Sequence, residues 1–275
     1  MSSNSGDTPL NEWDRNRNRI TSNKGGWRIG EAVYNQGFSQ LDDLVGHVSY
    51  FQLMLLNVTG RLPDERIAIW LENTFSCASW PDSRIWCNQM GALAGSAQAS
   101  AVAGTAAGVL ASDSVIYGPG VIGYCTDFIQ EALQAYKRGT SVAQIVQEQL
   151  DKKGSVPGYA RPIAKGDERV VAMRRVSRNL KFELGEHEQL AIQINDYLSE
   201  HHDECINVGG YMVAFLSDQG YSTKEAVRMT TLIVAAGVQA CHAEMFDKPA
   251  GTYLPMRCED INYVGVDDRE LPPTS

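Results

Sequence analysis

The chain of 275 residues has no Cys-x-x-Cys pair, no zinc-type spacing of cysteine with histidine, no apolar leader and no excess of positive charge. Each absence excludes something. Lys and Arg number 24 against 33 Asp and Glu, a formal net charge of −9. That excludes a general nucleic-acid or anionic-membrane binder, because phosphate binding needs a basic face. The polar N-terminus lacks the h-region of a secretory signal. The six cysteines (Cys77, Cys87, Cys125, Cys205, Cys241, Cys258) therefore read as free thiols in a reducing cytoplasm, mostly buried for structural reasons. No metal site is expected. Histidine is scarce, with five in the chain.

Charge and proline are also missing from Gly91–Ala111, GALAGSAQASAVAGTAAGVLA. Alanine favours helix strongly enough to carry the glycines, each costing about 1 kcal/mol against Ala. An apolar helix with few bulky side chains is expected to be buried nearly all round. It reads as one central helix, or two joined end to end. The spacings Gly91/Gly95 and Gly104/Gly108 admit another backbone at close range, from the same chain or a second subunit. A membrane span is the poorer reading: the run is Ala/Gly rather than Leu/Ile/Phe, contains Gln98 and has no basic flank.

A length of 275 residues suits one large domain or two unequal ones. Residues 1–26 read as a mobile polar arm, with DRNRNR at Asp14–Arg19, and 267–275 as a polar tail. Helices are expected over His47–Leu56, from Pro63 or Asp64 onward with Ile67, Ile69, Trp70, Leu71 and Phe75 inside, and over Thr126–Tyr136 and Ser141–Leu150. Trp80–Asp82 breaks the chain, and Lys152–Gly166 is a loop. Glu168–Phe182, Glu186–Ser199 and Thr223–Met245 follow with helical period, the last capped by Ser222 or Thr223. Ile261–Val266 alone suggests a strand. The class is mainly α.

Order and local sequence together resemble the citrate synthase superfamily, especially its short members and the citryl-CoA lyase module of ATP-citrate lyase. Val33–Glu65 is similar to the family's early RGY…DL…G-LP segment, and the Ala/Gly run to the helix before its GP-HGG turn. Pro157–Arg161 with Asp167–Arg169 resembles its PG(Y/F)GH…DPR loop, and Ile206–Tyr211 its NVD-YSG element. Cys241–Glu244, Pro249 and Asp260–Gly265 resemble its ending. The resemblance implies a citrate synthase-like, nearly all-helical fold with a large and a small domain in a homodimer. The large domain would hold 27–118 and 217–266, and the small one 119–216. It also implies a small carboxylic acid or acyl-CoA ligand, with coenzyme A thioester as substrate and Pro157, Gly158 and Tyr159 beside it.

Family chemistry uses a carboxylate to remove a proton next to the thioester and histidines to polarise the enolate and ketone oxygens. At those positions this chain has Gly209 for the base aspartate and Arg161 for the loop histidine. Gly118–Gly123 and Ser79–Trp80 hold no histidine. Arg169 falls on the arginine that binds a substrate carboxylate, against the alternative of a surface arginine. Arg161 can clamp a carboxylate but cannot shuttle protons near neutrality; the alternative is an exposed loop residue. Asn207 would bind substrate or hold its turn. Tyr117, Tyr124 and Tyr159 would donate to an oxyanion or sit in core or rim, with Arg161 and Tyr159 the catalytic candidates. Cys125 beside Asp127 reads as a buried thiol, and His201–Glu204 as a solvated patch. Two functions remain: a rebuilt enzyme making or breaking a C–C bond, or a non-catalytic homologue that binds a CoA thioester, a carboxylic acid or a protein.

Overall fold

A computed structural model describes residues 9–161 and 166–272. Residues 1–8 of the expected arm, 162–165 of the loop and 273–275 of the tail lie outside the described residues. The chain opens with α1 (Pro9–Asn16), β1 (Gly25–Arg28), β2 (Ala32–Asn35) and β3 (Phe38–Ser39). There follow α2 (Tyr50–Thr59), α3 (Glu65–Ala78), α4 (Trp86–Ser96), α5 (Ala101–Ser112) and α6 (Pro119–Lys137). Next come α7 (Val142–Lys153), α8 (Glu168–Asn179), α9 (Glu186–His201) and α10 (Val208–Asp218), then α11 (Thr223–Thr230) and α12 (Ala235–Phe246). The mainly helical class is as expected. Part of the supposed arm is the helix α1, without a buried residue.

The strands form one short antiparallel sheet in the order β1-β2-β3. It lies where no strand was expected, while Ile261–Val266 is exposed and without regular structure. Strands of two to four residues, β1 exposed throughout, carry too little alternation to be read from sequence.

Two compact units emerge, one from residues 1–78 and 114–233, the other from 79–113 and 234–275. These junctions differ from the 118/119 and 216/217 boundaries that the family resemblance implies. The first unit is built around α10, buried from Gly210 through Ser217. The indole of Trp70 stacks on Phe215 with centroids 3.8 Å apart, and Phe182 meets the same ring edge-on at 5.0 Å. Such pairs add about 0.5–1.5 kcal/mol to the area they bury. A polar thread crosses this core: Trp70 Nε1 donates to Ser177 Oγ at 2.8 Å, which lies 3.1 Å from the Tyr211 hydroxyl. The buried carboxyl of Glu188 bonds that same hydroxyl, and burial raises its pKa. Elsewhere in this unit, Ser49, Ser141 and Ser222 start α2, α7 and α11 with capping boxes.

In the second unit the Ala/Gly run is not one rod. Gln98 adopts φ +59°, Ser100 caps α5 by accepting from Ala103 N, and the chain folds back. Burial all round is also not found: Val102 and Leu110 are 80% and 77% exposed. The glycine faces pack as expected, against a helix of the same chain. A Cβ on Gly91 would lie 2.6 Å from Val238 O, and one on Gly95 would strike His242 O. Gly104 and Gly108 meet the same two residues in reverse order. Thus α12 runs parallel to α4 and antiparallel to α5, touching both through glycine.

The expected single helix Thr223–Met245 breaks at 231–234. Thr230 and Thr231 hydroxyls bond the carbonyls of Ala226 and Val227, and the β-branched stretch that follows favours helix weakly.

Candidate functional site

Three segments of the first unit meet: the loop Pro157–Arg161, the start of α8 and the start of α10. Asn207 stitches loop to helix. Its backbone N–H donates to Gly158 O at 2.8 Å and its Nδ2 to Ala160 O at 2.8 Å, while Oδ1 accepts from Gly210 N at 3.0 Å. Gly158 has φ +88°, and a Cβ there would lie 2.7 Å from the Gly210 Cα. Only glycine at both positions lets the two backbones touch.

Asp167 is the hub. It caps α8, accepting from Arg169 N at 3.1 Å, and its side chain is wholly inaccessible. Arg169 grips it through Nε and Nη2 at 2.7 and 2.6 Å, and Val208 N donates to it at 2.8 Å. Burial pushes this carboxyl up, but the Arg169 fork and the two backbone donors outweigh burial and hold it below its ordinary range. Arg161 Nη1 stands 3.7 Å from Asp167 Oδ1. Only 11% of the Arg161 side chain is exposed, and its fork is held by Glu168 at 2.6 and 3.2 Å and by Gly166 O at 3.3 Å. That hydrogen-bonded carboxylate raises the Arg161 pKa against burial, and Arg161 in turn draws Glu168 down to about 2.

The structure therefore brings Arg161, Arg169 and Asn207 together, with Pro157 and Gly158 in the loop that Asn207 anchors. Tyr159 points the other way: it is buried, its hydroxyl donates to Ala191 O at 3.1 Å, and burial raises its pKa. That geometry is a packing residue's, with the phenol proton already engaged. Tyr117 is half-buried in the turn before α6, its carbonyl accepting from Ser114. Cys125 is buried and its thiol is pushed up to about 12, consistent with an unreactive thiol. His201 and His202 are exposed, as a solvated patch would be, and no metal-holding group of three appears among the described residues. Sequence reasoning placed Asp167 and Glu168 in the loop motif but gave them no role. A signal existed: an Asp directly before a helix and two positions ahead of an Arg is an N-cap with a partner in reach.

Comparison with known proteins places the fold. The citryl-CoA lyase of Hydrogenobacter thermophilus superposes with a TM-score of 0.78 at 27% identity, over 92% of this chain and 97% of that one. The chain belongs to the citrate synthase superfamily. A Methanosaeta concilii ATP citrate lyase (D541A mutant), solved in complex with (3S)-citryl-CoA, shares the fold at a TM-score of 0.72 and 18% identity. That match covers 96% of this chain but 45% of the larger protein. The citrate synthase of Thermotoga maritima matches at 0.63 and 18% identity, covering 82% of this chain and 60% of that one. No family model and no curated protein matches the sequence. Among the described residues no helix is long and apolar enough to cross a membrane.

Proposed function

We propose that this superfamily member binds a polycarboxylic or 2-oxo acid, or its coenzyme A thioester, at a site rebuilt on Arg161 and Arg169. Its reaction is C–C bond formation or cleavage next to the thioester. The observation that carries the reading is the convergence of two guanidiniums on one buried carboxylate, where the family resemblance leads one to expect a neutral histidine beside the arginine. Asp167 and Glu168 balance the two fixed cations, and a guanidinium fork suits a planar carboxylate. The protein would act as a cytoplasmic homodimer, with CoA thioester as substrate rather than resident cofactor. A second reading, a binding protein without turnover, draws on Gly209: at the family's base position it offers no carboxylate. The engaged hydroxyl of Tyr159 favours the same reading.

Calorimetric titration with CoA, acetyl-CoA, oxaloacetate and citrate, run beside a thiol-release assay, separates these readings. Binding with CoA release is expected; binding without release selects the non-catalytic reading. Arg169→Ala is expected to abolish carboxylate binding, and Arg169→Lys, which keeps the charge but loses the fork, to weaken it at least tenfold, or about 1.4 kcal/mol. Undiminished binding by both variants would remove Arg169 from the site.

A further inference from the structure

A cleft of about 330 Å³ opens on β1 and β2, away from the loop, α8 and α10, lined by the chain from Ser22 to Arg28 and by Tyr34, Gln36 and Gly37. That volume lies at the lower end of the range for small-molecule sites. Its lining holds two cations, Lys24 and Arg28, and no carboxylate among the described residues, in a chain of net charge −9. Arg28 is steadied by stacking, its guanidinium carbon 4.8 Å from the centre of the Tyr34 ring. Its ion pair with Glu31, at 3.7 Å and with both side chains largely exposed, is one that water and salt weaken. Gln36 adds a donor. The chain turns there at φ +52°, its N–H donates to Lys24 O at 2.7 Å, and its Nε2 is enclosed without a hydrogen-bond partner. An enclosed donor left unpaired is costly, and an acceptor on a ligand removes that cost. Gly26 pairs with Tyr34 across the sheet, on the same face as Arg28, and a Cβ there would meet nothing within 4 Å.

We propose that this cleft is a second ligand site, which takes the phosphate group of a small phosphate monoester with an aromatic body. Such a group carries about −1.5 to −2 charges near neutrality and three strong acceptor oxygens. Those match two cations and an unpaired amide donor, whereas a single carboxylate would leave one cation unbalanced. The cleft also offers more than a bare anion needs. Trp27, 70% exposed, and Tyr34 both line it and present aromatic surface to an organic body. The inference stands apart from the carboxylate reading of Arg161 and Arg169, since it uses none of the same residues.

Inorganic phosphate, phenyl phosphate and phenol are the probes, titrated calorimetrically at constant ionic strength into wild type, Lys24→Gln, Arg28→Gln and Gly26→Leu. Circular dichroism confirms the fold of each. Wild type is expected to bind phenyl phosphate about tenfold more tightly than inorganic phosphate, and phenol not at all. Lys24→Gln and Arg28→Gln should each weaken phenyl phosphate about fivefold or more, the loss of one charge-assisted contact. Gly26→Leu keeps both cations but fills the open space over the strand, and it should abolish binding. Equal affinity for the two phosphates would overturn the aromatic body and assign the cleft to free phosphate. Failure of wild type to bind either phosphate overturns the proposal. So does binding that survives in Gly26→Leu, which would be the effect of diffuse surface charge. Binding that survives in all three variants but is lost in Arg169→Ala also overturns it, by placing the anion at the loop and α8 instead.

Discussion

Asp167 does for the site what a counter-ion does for a buried charge, and it does so with all its acceptor capacity turned inward. Replacing it with Asn would place an amide against a guanidinium that is itself four-fifths buried. Removing one partner of such a pair costs about 3 kcal/mol or more, so Asp167→Asn is expected to lower the unfolding free energy by about that amount in urea. The pH dependence has a definite sign. A carboxyl held below its unfolded value contributes stability that is complete above about pH 4 and lost as pH falls through the folded value. Asp218, which accepts from His187 and Glu188 at the start of α9, adds to the same acid loss. In Asp167→Asn the denaturation midpoint should therefore fall less steeply below pH 4 than in wild type. Arg169 and Arg161 could be picked out from motif position alone, since a short loop motif fixes which residues are present. The inward turn of Tyr159 could not, because a loop has no periodicity to say which side chains face the core.

At the scale of elements, neighbouring glycines of one helix turn behave differently. A Cβ on Gly209 would lie 3.1 Å from Asn207 Oδ1 and 3.5 Å from Ile122, both side-chain atoms able to give slightly. A Cβ on Gly210 would drive into the backbone carbonyl of Gly158. Gly209→Ala is expected to stay within about 1 kcal/mol of wild type, and Gly210→Ala to lose about 2–3 kcal/mol, as overpacking does where backbone cannot yield. Differential scanning calorimetry on the pair checks the contrast. Gly209→Asp should fold as well, restoring a carboxylate at the family's base position. Helix starts were legible where Ser precedes an amphipathic run, as at Ser141 and Ser222, whereas no helix was expected over the largely buried α10, which lacks such a period. Helix ends were less so: the break between α11 and α12 comes from threonine hydroxyls competing for carbonyls, an effect too weak to interrupt an apolar period on paper.

For the whole molecule, the helical class followed from propensity and period. The proposed homodimer makes a simple prediction: light scattering should give twice the chain mass, and a monomer at micromolar concentration would refute it. The trio of α4, α5 and α12 carries a further consequence, for the order in which the protein is made. Synthesis of the α4–α5 hairpin is complete when residue 112 has been added, yet the helix that fills its glycine faces begins at Ala235. At typical rates of about 5–20 residues per second, the hairpin waits on the order of ten seconds for its third member. The glycines and alanines that later admit a backbone offer almost no apolar area to stray chains in that interval. The second unit is thus the last to close during synthesis.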